Sequence, residues 1–431
     1  MKLLIKNGRV IDPLNKVNDI RDILIEDNLI KDMAKDISIG DCQLIDASNK
    51  IVCPGFIDIH VHLREPGFEY KEDIASGTRA AAAGGFTTVC CMPNTEPVID
   101  NAATAVFVRE RARKAGVVNV YPIGAITKKT AGEELSEIAE LVAAGCVAIS
   151  DDGRPVINSY LMRNALDYSK MFDLPVMSHC EELSLAQGGQ MHEGYYSTIY
   201  GLKGIPAAAE EIMVTRDIIL SRITGAHVHI CHVSTRGSID QIRKAKKEGI
   251  NVTCEVTPHH LTLTDEIVGS YDGDTKVNPP LRSQEHILAL REAIIDGTID
   301  CIATDHAPHE RESKDCEYIL ASFGISGLET AVAVIIDKLV RPGILSLEKM
   351  VQLFSCGPAK VLKMPDKGLI QKGQRADITI IDLKETRKVD PARFYSKGKN
   401  TPFKGQELAG WPWATIVNGK IVYYNGQVKE N

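Results

Sequence analysis

Two histidines one residue apart, His60 and His62, close the apolar run FIDIHVHL. Side chains two apart on a strand share a face, so both imidazoles can grip one metal ion. Other apolar runs end on residues of the same kind. LPVMSHC ends in His179, HVHICHV reaches His232, CIATDHAPH reaches Asp305, and CVAISDDG carries Asp151 and Asp152. Imidazole and carboxylate suit zinc-like divalent ions. Four histidines, Asp305 and one of the pair Asp151 and Asp152 are too many for one tetrahedral site. They match two ions sharing a bridging carboxylate and a bridging hydroxide, an arrangement that activates water near neutral pH.

Strand parity sorts the neighbours. Under strict alternation Phe56, Asp58, His60 and His62 face the site, and Ile57, Ile59, Val61 and Leu63 face the other way, toward helices. His229 then lies opposite His232 and is expected to point outward, while His227 is too early in its run to reach the site. Cys180 and Cys231 face away from the adjacent histidines and read as core thiols. His259 and His260 read as structural or supporting groups, and His306 should diverge from Asp305. His192 and His286 receive no role.

The elements that must position these residues follow a simple rhythm. From Phe56 onward, eight apolar runs (FIDIHVHL, FTTVCCM, VVNVYPIGAI, CVAIS, LPVMSHC, HVHICHV, NVTCEV and DCIATDH) alternate with helical stretches. The helices are expected near 73–84, 101–115, 133–144, 159–171, 207–223, 236–248 and 284–296, with two more near 328–341 and 347–354. Repeated βα units with intensely apolar strands imply a parallel sheet, and eight of them imply a closed (β/α)8 barrel. A barrel enzyme carries its chemistry at the C-terminal ends of the strands, where the candidate ligands stand. The fold class is therefore α/β: a TIM-like barrel over 53–365, beside a small β-sandwich domain. The ends, 1–52 and 366–431, both read as short strands with NG and DN turns, and neither could fold alone. They are expected to pair into that one domain.

The bulk properties set bounds on partners. The 431 residues are 44% hydrophobic and 25% charged, an ordinary globular balance. A net charge of -7 offers no basic face for nucleic acid. No apolar run approaches the ~20 residues of a membrane helix. The N-terminus lacks a signal-peptide core, which suggests a cytoplasmic protein. Eleven scattered cysteines without CxxC pairs suggest reduced thiols.

Taken together, HVHLREPG, GFTTVCCMPNT, SDDG, SHCEE, CHVST, EVTPHH, NPPLR and ATDHAPH resemble the dihydroorotases of the amidohydrolase superfamily. The closer likeness is to the bacterial class I, zinc-dependent type whose partner is aspartate transcarbamoylase. The likeness runs to the closing KGKNTPFKGQELAGWP and TIVNGKIVY. It implies reversible cyclisation of N-carbamoyl-L-aspartate to L-dihydroorotate and water, a step of pyrimidine (UMP) biosynthesis. It implies two Zn2+ per chain: His60, His62 and Asp305 on the first, His179 and His232 on the second. Many relatives bridge the ions with a carboxylated lysine. None stands here, and the likeness gives the bridge to Asp152, with Asp151 as runner-up. Asp305 would act as general base and then acid. His62, Arg64, Asn94, Asn278 and His309, with the backbone at Phe323 and Gly324, would bind substrate, and Arg64 would clamp its carboxylate. Ser322 departs from the proline expected before Phe-Gly, so the shape of that loop is open. The likeness also allows for a homodimer and for association with aspartate transcarbamoylase, on which activity could depend. Two other readings compete: a hydantoinase, dihydropyrimidinase or allantoinase type of cyclic amidohydrolase, and a non-catalytic relative retained as a partner subunit.

Overall fold

The β-formers at the N-terminus assemble first in chain order. In the computed structural model, which describes residues 2–429, they form β1 (Lys2–Asp12), β2 (Val17–Glu26), β3 (Leu29–Ala34), β4 (Gln43–Asp46) and β5 (Ile51–Pro54). The barrel follows with β6 (Phe56–Val61), β7 (Phe86–Cys91), β8 (Asn119–Pro122), β9 (Ile149–Ser150) and β10 (Val176–Ser178). A small parallel pair outside the barrel, β11 (Met191–His192) and β12 (Gly204–Ile205), precedes β13 (Val228–Ile230), β14 (Val252–Val256) and β15 (Cys301–Ile302). The chain ends in β16 (Ile378–Lys388), β17 (Glu407–Val417), β18 (Lys420–Tyr424) and β19 (Gln427–Val428).

The eight apolar runs become eight parallel strands. β6, β7 and β8 pair in order, as do β9, β10, β13, β14 and β15. Two parallel bridges, Gly124 to Ile149 and Val61 to His306, close the ring. The intervening helices lie close to where periodicity predicts them, including Ala102–Ala115, Ser159–Lys170, Arg236–Lys247 and Gln284–Asp296. Their apolar faces share one core with Val89, Val176, Val228, Val256 and Ile302 from the outer side of the strands.

The two ends meet in one sheet. β1 pairs antiparallel with β2 and parallel with β4 and β5, and β5 pairs antiparallel with β16, which leads through β17 and β18 to β19. At the far edge Leu29 bridges Arg375, bringing β3 against the C-terminal half. Leu3, Ile5, Ile23 and Ile25 from one end and Ile378, Ile380, Ala414 and Ile416 from the other are buried in a single core.

Strict alternation fails in β6. Asp58 and Val61 pair with Val89 and Cys91, so β6 carries one extra residue there, a β-bulge. The bulge reverses the parity within the strand. Ile57 and Ile59 therefore face inward with Cys90, Met177, Cys231 and Cys301, not outward as alternation predicts. Val61 and Leu63 do pack toward the helices. His60 and His62 still face inward, stacked above the apolar plug instead of above Phe56 and Asp58.

Candidate functional site

Six side chains converge at the C-terminal ends of the barrel strands. Asp152 is central. Its Oδ1 lies 3.3 Å from His60 Nε2, 3.4 Å from His232 Nε2 and 3.7 Å from His179 Nδ1, and its Oδ2 lies 3.4 Å from His62 Nε2. Asp305 Oδ1 lies 3.2 Å from His62 Nε2 and 3.5 Å from His60 Nε2. The nitrogens His179 Nδ1 and His232 Nε2 face each other at 2.9 Å. Three imidazoles thus present Nε2 and one presents Nδ1, a difference no spacing rule could reveal. Asp151 is elsewhere: its carboxylate accepts the Ile126 and Thr127 amides at 2.8 and 3.0 Å and the Thr127 hydroxyl. It secures the loop after β8.

The residues present fit divalent metal. His60 Nε2 and Asp152 Oδ1 are both buried without a hydrogen-bond partner among the described residues, and such orphans cost roughly 1–3 kcal/mol each. Two overlapping trios, His60–His232–Asp305 and Asp152–His179–His232, bring their ligand atoms close enough to hold an ion each. The electrostatics agree. Burial would push the Asp152 carboxyl up, but the facing His60 and the hydrogen bonds from His232 and His60 hold it well below the usual range. Asp305 is lowered the same way, against burial, by His60 and His62. His60 is pulled down by burial, yet Asp152, Glu255 and Asp305 raise it well above an ordinary imidazole. Buried carboxylates keep their charge only opposite positive charge, and a divalent cation would supply it.

Around this cluster the rim residues fall into two groups. His62 Nδ1 donates to Asn94 Oδ1 at 2.9 Å, which turns its Nε2 lone pair toward the carboxylates. Arg64 is half-buried beside Pro308, donating from Nε to its carbonyl at 3.3 Å. Withdrawal from water lowers the guanidinium to about 10, against the pull of Asp305 and Asp152, so it stays cationic at neutral pH. Burial and the nearby Arg64 depress His309 to about 2. This ring is neutral, and its Nε2 donates to the Phe323 carbonyl at 2.9 Å. Asn278 Nδ2 lies 3.2 Å from Glu181, whose carboxylate also meets His179 Nε2 at 3.4 Å. Glu181 thereby leaves the His179 Nδ1 lone pair free for the centre.

Two buried lysines shape the 310–324 loop. Lys314 Nζ donates to the Ser322 and Gly324 carbonyls at 2.7 and 2.8 Å, and Lys276 Nζ donates to Tyr318 and Ile319 at 2.8 and 2.9 Å. Lys276 also sits 4.7 Å over the Phe323 ring. Gly324 has φ +128°, and a Cβ there would stand 2.7 Å from Ala307 Cβ. Only glycine permits this approach of the loop to the mouth.

Several supporting residues escape sequence reasoning. His229 points into the barrel, not outward: its Nε2 meets Glu255 at 3.2 Å. Cys231 faces the same interior, although it is a buried thiol as expected, and burial pushes that thiol well above its ordinary range, so it stays protonated at neutral pH. The cause is a turn: His232 has φ +33°, so it swings inward after Cys231 already has. Glu255 is the main omission. Its Oε1 lies 2.6 Å from His60 Nδ1, and facing His60 and His229 depress it to about 2 despite burial. A carboxylate inside the apolar run NVTCEV was the available signal. His306 diverges from Asp305 and meets Glu72 at 3.4 Å. His260 spans Thr257 and the Pro279 carbonyl.

A closed eight-stranded barrel with a histidine–aspartate cluster at its mouth and a sheet built from both chain ends defines an amidohydrolase. Residues 226–423 match the Amidohydrolase family model, and residues 49–238 match the Dihydro-orotase-like model. The dihydroorotase of Pelotomaculum thermopropionicum is 56% identical over 98% of this chain and 98% of its own length. That of Acetivibrio thermocellus is 54% identical over 97% of this chain and 98% of its own. Among solved structures, the L-hydantoinase (dihydropyrimidinase) from Arthrobacter aurescens superposes with a TM-score of 0.91 at 27% identity, covering 99% of this chain and 97% of that one. The chain belongs to the dihydroorotase family.

Proposed function

We propose that this chain is a dihydroorotase. It interconverts N-carbamoyl-L-aspartate and L-dihydroorotate at a site where His60, His62 and Asp305, and His179 and His232, would hold two zinc ions, with Asp152 as a ligand common to both. The main support is 56% and 54% identity to dihydroorotases over nearly the whole chain, joined to a cluster in which Asp152 lies 3.3 Å from His60 Nε2. Divalent ions bound there would make a water acidic enough to attack near neutral pH and would supply a Lewis acid for the scissile carbonyl. The protein's own groups do the rest. Asp305 takes the proton of the attacking water and delivers it to the ring nitrogen as the C–N bond opens, and the steps reverse on closure. Arg64 binds the substrate carboxylate with its planar fork. His309, neutral, contributes hydrogen bonds and no charge, so anion recognition falls to Arg64. Asn94, Asn278 and the backbone at Phe323 and Gly324 orient the ring.

The barrel occupies 53–365, and 1–52 with 366–431 form the second domain. The enzyme works in the cytoplasm in pyrimidine biosynthesis, as a homodimer that associates with aspartate transcarbamoylase. Among the described residues no helix is long and apolar enough to cross a membrane.

The hydantoinase alternative has the barrel likeness behind it, and substrate competition separates the two. Zinc-loaded protein should turn over dihydroorotate, read by ring-amide absorbance, far faster than hydantoin or dihydrouracil; equal turnover would sink the assignment. Arg64→Met should raise KM for dihydroorotate by about 30-fold or more, taking ~2 kcal/mol as the low end for truncating one of a charged pair. An uncharged ring should be bound as before. An unchanged KM for dihydroorotate removes Arg64 from carboxylate recognition.

A further inference from the structure

Behind His60, and away from the substrate mouth, a line of polar side chains descends through the barrel. Glu255 Oε1 lies 2.6 Å from His60 Nδ1 and accepts the His232 backbone amide at 3.3 Å, while its Oε2 lies 3.2 Å from His229 Nε2. His229 Nδ1 lies 2.8 Å from Thr253 Oγ1, which also lies 2.7 Å from His227 Nε2. Glu255, His229 and His60 are fully buried, and His227 nearly so. Thr253 is half-buried at the barrel floor, where it borders a cavity with Asp173, Gly297 and Lys363.

The order of donors in this line is fixed by elementary counting. Glu255 can only accept, so both rings that meet it must place N–H there. His60 then carries a proton on Nδ1, and Nε2, beside Asp152 and Asp305, is the nitrogen left to give up its proton to a metal. A neutral His229, protonated on Nε2, has a bare Nδ1. The single Thr253 hydroxyl hydrogen must be donated to it, and Thr253 in turn accepts from His227 Nε2. The hydrogen bonds therefore run inward from the floor to Glu255, and Glu255 touches two candidate ligands at once, His60 by its ring and His232 by its amide.

We propose that Thr253, His229 and Glu255 are positioning residues that lock His60 in the Nδ1–H tautomer, presenting Nε2 to metal, and hold His232 in register with it. The proposal rests on His60 and His232 being metal ligands, but not on which ring is the substrate. Partners of this kind commonly change metal affinity 10–100-fold. The test is zinc affinity of the full-length protein by competition with a chromogenic chelator, alongside two-bond proton–nitrogen spectra of its histidines without metal. Glu255→Gln should weaken zinc about 10–100-fold. Thr253→Val, losing the hydroxyl that donates to His229 and accepts from His227, should weaken it about three- to tenfold through the bond to His229, and Thr253→Ser should restore it. The wild-type spectrum should show His229 protonated on Nε2 alone, and Thr253→Val should mix its tautomers. Wild-type zinc affinity in both Thr253→Val and Glu255→Gln, or a wild-type His229 protonated on Nδ1, overturns the proposal. Neither measurement involves substrate, so failure of the dihydroorotase reading would leave both results standing.

Discussion

Asp305→Asn slows turnover of dihydroorotate by about 10²–10⁴-fold, the usual worth of a positioned acid–base group, while zinc is still taken up. Asparagine is the informative replacement. Asp305 sits at φ +48°, a left-handed conformation that asparagine tolerates and alanine resists, so the variant removes the base without straining the loop. Asp305 is also the most open of the six converging groups, its side chain 12% exposed against at most 5% for the others. It is the carboxylate that a substrate can meet. Its oxygen lies within 3.5 Å of His60 and His62, so it borders any water bound between these ligands. Steady-state rates with metal analysis on the same sample decide the matter. A variant with full zinc and undiminished turnover would take Asp305 out of the proton path.

Asp152→Asn empties the centre. On the proposed function the neutral amide would not oppose the cations that the four surrounding imidazoles are proposed to hold, and its NH2 would point a donor at their ring nitrogens. Zinc affinity should fall by more than the ~100-fold that loss of an outer partner costs, with activity lost at ordinary zinc concentrations. Asp151 provides the control. Asp151→Asn strips charge from a carboxylate that accepts two amides and a hydroxyl, so it should lower the melting temperature and leave zinc stoichiometry intact. Zinc counted per chain for the two variants distinguishes them. If Asp151→Asn loses the metal and Asp152→Asn retains it, the assignment of the bridge is reversed.

Much of this architecture was legible in the residues. The eight apolar runs and the helices between them need only periodicity, since their burial is repetitive and local. Ligand types at strand ends are legible for the same reason, because a barrel sends every strand end to one mouth. What escaped depends on backbone departures that no periodic rule contains. One extra residue in β6 put Ile57 and Ile59 inside with the histidines. A positive φ at His232 let His229, Cys231 and His232 all face the interior. Glu255 was overlooked because a lone charge in an apolar strand has no spacing partner; its partners, His60 and His229, lie on other strands. The loop at Phe323–Gly324 depends on Lys276 and Lys314 reaching backbone carbonyls, contacts that sequence offers no means to pair. The choice between Asp151 and Asp152 likewise depended on where the chain turns after β9.

The sheet shared by the two chain ends bears on synthesis. β5 waits for β16, and β3 waits for Arg375, until more than 370 residues have been made. During translation residues 2–54 therefore carry an unpaired strand edge and an apolar face that are covered only from Ile370 onward. Such an edge invites association with other nascent chains. The barrel strands from β6 onward need only later neighbours and can begin to pair at once. The order of emergence thus makes the N-terminal strands the most exposed to misassembly and the last to be secured. A chain that stops before Arg375 leaves both β5 and β3 open.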